Sequence, residues 1–115
     1  MKGLIIKSPW IDLILQGKKT WEIRGSNTSI RGRIGLIQSG TGMVYGTVEL
    51  VDSKHLNLDE YQHSAAYHRI EVYHDAPYER IHAWVLANPV RWAEPVPYVH
   101  PRGAVIWVNL QYTSV

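Results

Sequence analysis

Gly17-Lys18-Lys19-Thr20-Trp21-Glu22-Ile23-Arg24 sets two lysines, a carboxylate and an arginine around one tryptophan. The preceding run, Pro9-Trp10-Ile11-Asp12-Leu13-Ile14-Leu15-Gln16, reads as two helical turns: Ser8 suits the cap, Pro9 the first helical position and Gly17 the left-handed exit. After the glycine, Trp21-Glu22-Ile23-Arg24 alternates with the period of a half-buried strand. That period puts Glu22 and Arg24 on one face and Trp21 and Ile23 on the other. Strict alternation would send Lys19 to the face opposite Glu22. A site shared by the two therefore requires Lys19 to lie in the loop ahead of the strand.

Outward from this helix-stop-strand unit, Gly3-Leu4-Ile5-Ile6-Lys7 reads as a first strand and Ser26-Asn27-Thr28-Ser29 as a polar loop. Residues 31–38 form the next strand, Ser39-Gly40-Thr41-Gly42 a hairpin turn and residues 43–52 its long partner. Glycines 32, 35 and 46 inside strands mark bends or close backbone approach. Residues 54–81 carry two helical stretches, over 56–61 and 76–81. His82-Ala83-Trp84-Val85-Leu86 is a short buried strand, Asn88-Pro89 interrupts it, and the prolines keep residues 91–97 extended. A closing strand spans 103–110. The expected fold class is α+β: a small mixed β-barrel with two or three short flanking helices, in a single domain over residues 1–115.

The chain has 115 residues, 45% apolar and 19% charged, enough for one core. It has no cysteine, which excludes disulfides, thiolate zinc sites and thiol catalysis. The N-terminal apolar run is too short for a signal peptide, no run is long enough to span a membrane, and a cytoplasmic location is the default expectation. The net charge of +2 is unevenly spread. Residues 1–33 carry +5, from Lys2, Lys7, Lys18, Lys19, Arg24, Arg31 and Arg33 against Asp12 and Glu22, while the remainder carries −3. A partner with phosphates would meet the basic third.

Taken in order, Ser8-Pro9-Trp10, Gly17-x-Lys19-x-x-Glu22-x-Arg24, Arg31-Gly32, Gly46-Thr47-Val48-Glu49-Leu50, Trp84-Val85-Leu86-x-Asn88-Pro89-x-Arg91 and Gly103-x-Val105-Ile106-Trp107 resemble the ASCH domain family. The resemblance covers residues 2–110. It implies the PUA-like superfold, a pseudo-barrel with flanking helices whose relatives include the EVE and YTH domains that bind RNA or modified bases. It also implies a cleft beside the barrel, lined by the octet, that serves RNA metabolism or a modified nucleoside. Lys19, Glu22 and Arg24 fall on the family's signature polar positions. Small ASCH proteins that hydrolyse N-acetylated cytidine carry a threonine nucleophile where this chain has Glu22, so their mechanism does not transfer unchanged. Other members have ribonuclease or nucleic-acid-binding roles.

Physical chemistry gives the octet its own reading. A lysine in a partly closed cleft loses solvation, so it can act as a base or hold an oxyanion. Glu22 can orient Lys19, activate a water or accept from a base amino group, and Arg24 offers a planar fork for phosphate. If catalysis occurs, Lys19 and Glu22 run it. Trp10 is the first candidate for stacking on a base and Trp21 the second, with Lys18, Arg24 and Arg33 as further nucleic-acid contacts. Ser39 can present its hydroxyl or turn amides to an anion. Trp84 and Trp107 are read as core, and Trp92 as packing on the outside of the barrel. The six histidines form no metal spacing, no cofactor motif is present, and Gly40-Thr41-Gly42 lacks the lysine of a phosphate loop. The expected partner is RNA or a nucleoside.

Overall fold

The computed structural model describes residues 1–71 and 77–111. Its elements are β1 (Lys2–Ile6), α1 (Trp10–Leu15), β2 (Trp21–Arg24), β3 (Gly32–Gln38), β4 (Met43–Leu56), α2 (Leu58–Gln62), α3 (Ala65–His68), β5 (Ile81–Pro97) and β6 (Trp107–Asn109). All six strands form one mixed sheet in the order β2-β5-β4-β3-β1-β6. The β1–β3 pair is parallel and the others are antiparallel. The α+β class holds, but the sheet ends on β2 and β6, and no ladder joins them among the described residues. Barrel closure by strand pairing is therefore not part of this sheet. A side chain bridges instead: Arg24 on β2 donates from Nη2 to the Ile5 carbonyl on β1 at 2.9 Å.

Two long strands bring β2 and β1 within reach of each other. The β4–β5 ladder shifts register between Val44 and Gly46, Thr47 and Glu49, and Leu50 and Asp52. Each irregularity adds local twist and bends the strands. The same irregularities explain why residues 82–86 and 91–97, read as separate segments, are one strand. Asn88 takes φ +51 and sits with Pro89 outside the ladder, so the proline gives up no hydrogen bond there.

Alternate residues of four strands face one core: Leu4 and Ile6, Ile34 and Leu36, Val48 and Leu50, Trp84 and Leu86. Helix α1 closes it with Ile11, Ile14 and Leu15, the i, i+3, i+4 stripe of an amphipathic helix. Each fully buried side chain of this size contributes about 1.5–3 kcal/mol. Trp84 lies in this core and stacks on the partly buried Trp107, with ring centroids 5.7 Å apart. A second cluster of Ile23, Leu56, Tyr61, Ile81 and Ala83 packs beneath α2 on the other face of β2 and β5. Trp92 is partly buried on a third cluster, with Ile37, Val44, Val108 and Leu110.

Several boundaries differ from the sequence reading. Ser8 does not cap α1: Pro9 holds that position without a side-chain hydrogen bond. Gly17 does provide the left-handed exit, at φ +78. Helix α2 begins at Leu58, because Asn57 forms a capping box with Glu60 and Leu56 still belongs to β4. Of the helix expected over 76–81, Ala76 lies outside the described residues, Pro77 to Arg80 are bends, and Ile81 opens β5. The closing strand shrinks to Trp107–Asn109.

Gly46 is a close-approach glycine: a Cβ there would overlap the Val90 carbonyl oxygen and lie 3.0 Å from the Arg91 Cα. Gly46→Ala is expected to cost about 2–4 kcal/mol, because backbone rather than a movable side chain must yield. Chemical denaturation checks this. An unchanged midpoint would show that β4 and β5 do not approach so closely.

Candidate functional site

Where α1 stops, the Lys18 and Lys19 amides both donate to the Leu13 carbonyl, at 2.9 and 3.1 Å. One residue later Thr20 is pinned on both sides, its N–H to the Tyr67 carbonyl and its carbonyl to the Leu86 N–H. Lys19 is thus held in a short loop ahead of β2, free of strand alternation. Its side chain turns to the same side as Glu22 and Arg24.

Lys19 is 1% exposed. Its Nζ donates to the His68 carbonyl at 2.5 Å, lies 3.7 Å from Glu22 Oε1 and sits 4.9 Å over the Trp10 ring. Burial pulls its pKa from 10.5 down to about 8, against the Coulombic attraction of Glu22 and with a smaller push from Arg24. Glu22 Oε2 accepts from Arg24 Nε at 3.0 Å and from Nη2 at 2.8 Å. The arginine plane stands over Trp84, with Cζ 5.5 Å from the ring centroid. One carboxylate therefore serves two cations and leaves the triad with a net charge of +1.

These side chains line a cavity of about 340 Å³, where the sheet is bridged by Arg24 instead of by a ladder. Trp10 and Ser39 join Lys19, Glu22 and Arg24 on its wall, together with the apolar Ile5 and Val105 and the ring of Tyr78. The volume is at the small end of ligand sites, which run from about 300 to 1,000 Å³. Apolar walls with a few convergent charges suit one flat polar ring. Residues 4–96 match the ASCH domain.

The chain belongs to the ASCH domain family.

Its structure is similar to the crystal structure of ASCH from Zymomonas mobilis, with a TM-score of 0.73 at 14% identity over 96% of this chain and 87% of that one. Two mutants of the Zymomonas mobilis protein, a tyrosine-to-phenylalanine and a serine-to-alanine variant, each give 0.72 at 14% identity and 96% coverage of this chain, with 89% and 87% of theirs covered. At this identity the likeness concerns the fold. No curated protein matches the chain.

Three sequence candidates stand apart from this cavity. Lys18 is exposed and off its wall, with its carbonyl accepting from Arg69 Nε. Arg33 is on β3, engaged with Glu49, Thr47 Oγ1 and the Asn88 carbonyl. Trp21, the second stacking candidate, packs on Tyr67 with centroids 4.8 Å apart, under the Lys54 ammonium and away from the cavity. Trp21 is displaced by strand alternation, which turns it to the face opposite Glu22 and Arg24.

Sequence reading missed Lys7, Ile5, Tyr78 and Val105 on the wall. Lys7 left a trace as part of the basic third, and Val105 as part of the Gly103-x-Val105-Ile106-Trp107 motif. His68 was missed as well. It is fully buried, its Nδ1 accepts from the Ile70 N–H, and its Nε2 faces the Tyr61 carbonyl, so it is a neutral structural imidazole whose pKa burial lowers. Among the described residues, no three histidine or carboxylate side chains gather as a metal set.

Proposed function

We propose that this ASCH domain binds RNA or a modified nucleoside, seating one base in the cavity under Trp10. The observation that carries the reading is the Lys19–Glu22–Arg24 triad, with Lys19 and Glu22 buried and Arg24 partly buried, on an otherwise largely apolar wall. A base ring finds the Trp10 face for stacking, and its carbonyl or ring nitrogen finds the Lys19 ammonium. Arg24 and Lys7 supply the positive rim that favours a phosphate-bearing ligand. Glu22 holds the two cations in place, since both its oxygens already face them.

A hydrolase acting on N-acylated cytidine or on RNA through Lys19 and Glu22 is the second reading. It draws on the lowered pKa of Lys19, which suits a proton-transfer role. Against it stands the engagement of Glu22 by Arg24, which must loosen before that carboxylate can activate water.

Titration calorimetry against adenosine, guanosine, cytidine, uridine, N-acetylcytidine and a single-stranded RNA tests both readings, with chromatography of the recovered ligand. Saturable binding of one nucleoside, weakened about tenfold or more by Lys19→Met, with the ligand recovered intact, is the expected result. Turnover lost in both Lys19→Met and Glu22→Gln would install the hydrolase. Absence of binding by any ligand would reject both.

A further inference from the structure

A second depression, of about 530 Å³, adjoins the cavity and shares Ile5, Ser39 and Val105 with it, so the two form one groove. Nothing in the proposed function uses its other wall, which carries Tyr98, His100 and the turn glycines Gly40 and Gly42. His100 Nε2 lies 2.9 Å from the Ala104 carbonyl oxygen, which can only accept. In the neutral ring Nε2 therefore carries the proton, and Nδ1 accepts from Tyr98 Oη at 2.7 Å. With its own proton committed to His100, the oxygen of Tyr98, which lines the depression, keeps lone pairs to accept with. Its position is fixed: the Tyr98 N–H donates to the Gly42 carbonyl at 3.1 Å, and its ring packs on Ile37, Val44, Val108 and Leu110.

Among the described residues, no lysine or arginine lines this depression. It therefore selects a neutral, hydroxyl-bearing group, next to a cavity that selects a flat ring beside cations. Along a single-stranded ribonucleotide chain, a ribose follows each base in that order. We infer that the Tyr98–His100 depression is a second subsite that takes the ribose of the adjoining nucleotide, Tyr98 Oη accepting a hydrogen bond from its 2′-hydroxyl. The groove thereby reads at least a dinucleotide and distinguishes RNA from DNA. Ser39, on the shared rim, marks where the linking phosphate passes, with Lys7 on the cavity side to meet its charge.

The inference rests on the nucleoside-binding reading, and one experiment separates the two. Wild type and Tyr98→Phe are titrated with the nucleoside that the panel selects, with that nucleoside flanked by uridines in a ribo-trinucleotide, and with the deoxy form of the same trinucleotide. Wild type is expected to bind the ribo-trinucleotide about tenfold more tightly than the nucleoside and about five- to tenfold more tightly than the deoxy form. Tyr98→Phe is expected to abolish the ribo-over-deoxy preference and leave nucleoside affinity unchanged, which also shows that the variant is folded. Equal affinity of wild type for the two trinucleotides, or a preference that survives Tyr98→Phe, overturns the subsite alone. If wild type binds no nucleoside of the panel, the cavity reading fails and the subsite falls with it.

Discussion

Replacing Glu22 with glutamine is expected to lower the free energy of unfolding by about 3–5 kcal/mol, the usual cost of removing one partner from a buried charge cluster. Glu22 is 7% exposed and is the carboxylate for both Lys19 and Arg24, so the substitution leaves a buried and a partly buried cation facing each other. Loss of the Arg24 clamp also loosens the bridge to the Ile5 carbonyl, which spans β2 and β1. Urea unfolding measures the effect. Added sulfate is expected to restore part of it, because an anion that binds the folded state stabilises it by mass action. A loss below about 1 kcal/mol would show that solvent screens the triad, as it does exposed pairs.

The second large effect is on pH dependence. Lys19 titrates at about 8 in the folded protein, against 10.5 for the ordinary side chain. Below pH 8 it is charged in both states and its burial opposes folding. Between pH 8 and 10.5 the unfolded chain binds the extra proton, so stability contributed by this group rises with pH, by about 3 kcal/mol over the interval. Wild type minus Lys19→Met is the quantity to follow, since Tyr61 and Tyr98 titrate in both proteins. The difference is expected to move in favour of wild type through that window. A flat difference would mean that Lys19 keeps its solvent.

The sequence made the octet legible because its chemistry is local. Gly17 had to end the helix, period two had to put Glu22 beside Arg24, and the requirement that Lys19 precede the strand follows from the same counting. Strand content was legible where apolar residues alternate, as in β3 and β4. What failed was long-range. The Pro-rich run joined β5 because a bulge at Asn88 and Pro89 removed the demand for an amide, and a sequence does not show which strand it will face. The absence of a closing ladder, and the Arg24 bridge in its place, depend on accumulated twist across several irregular pairings. Ile5, Val105 and Tyr78 reach the cavity from three distant parts of the chain, and no local pattern in the sequence aims any of them at it. Lys18 and Arg33 were proposed as nucleic-acid contacts on charge; Lys18 is exposed and off the cavity wall, and Arg33 is held by Glu49.

The central claim, that the cavity bounded by Lys19, Glu22 and Arg24 is where an RNA base or nucleoside sits, is tested most directly by amide and side-chain NMR shifts. The spectra are recorded on labelled protein during titration with the nucleoside panel and single-stranded RNA. The account predicts perturbations concentrated on Ile5, Lys7, the Trp10 indole, Glu22, Arg24 and Ser39, with little change at Lys18 or on the Arg33–Glu49 face. Perturbations confined to that face, with the Trp10 indole and Arg24 unmoved, would contradict it.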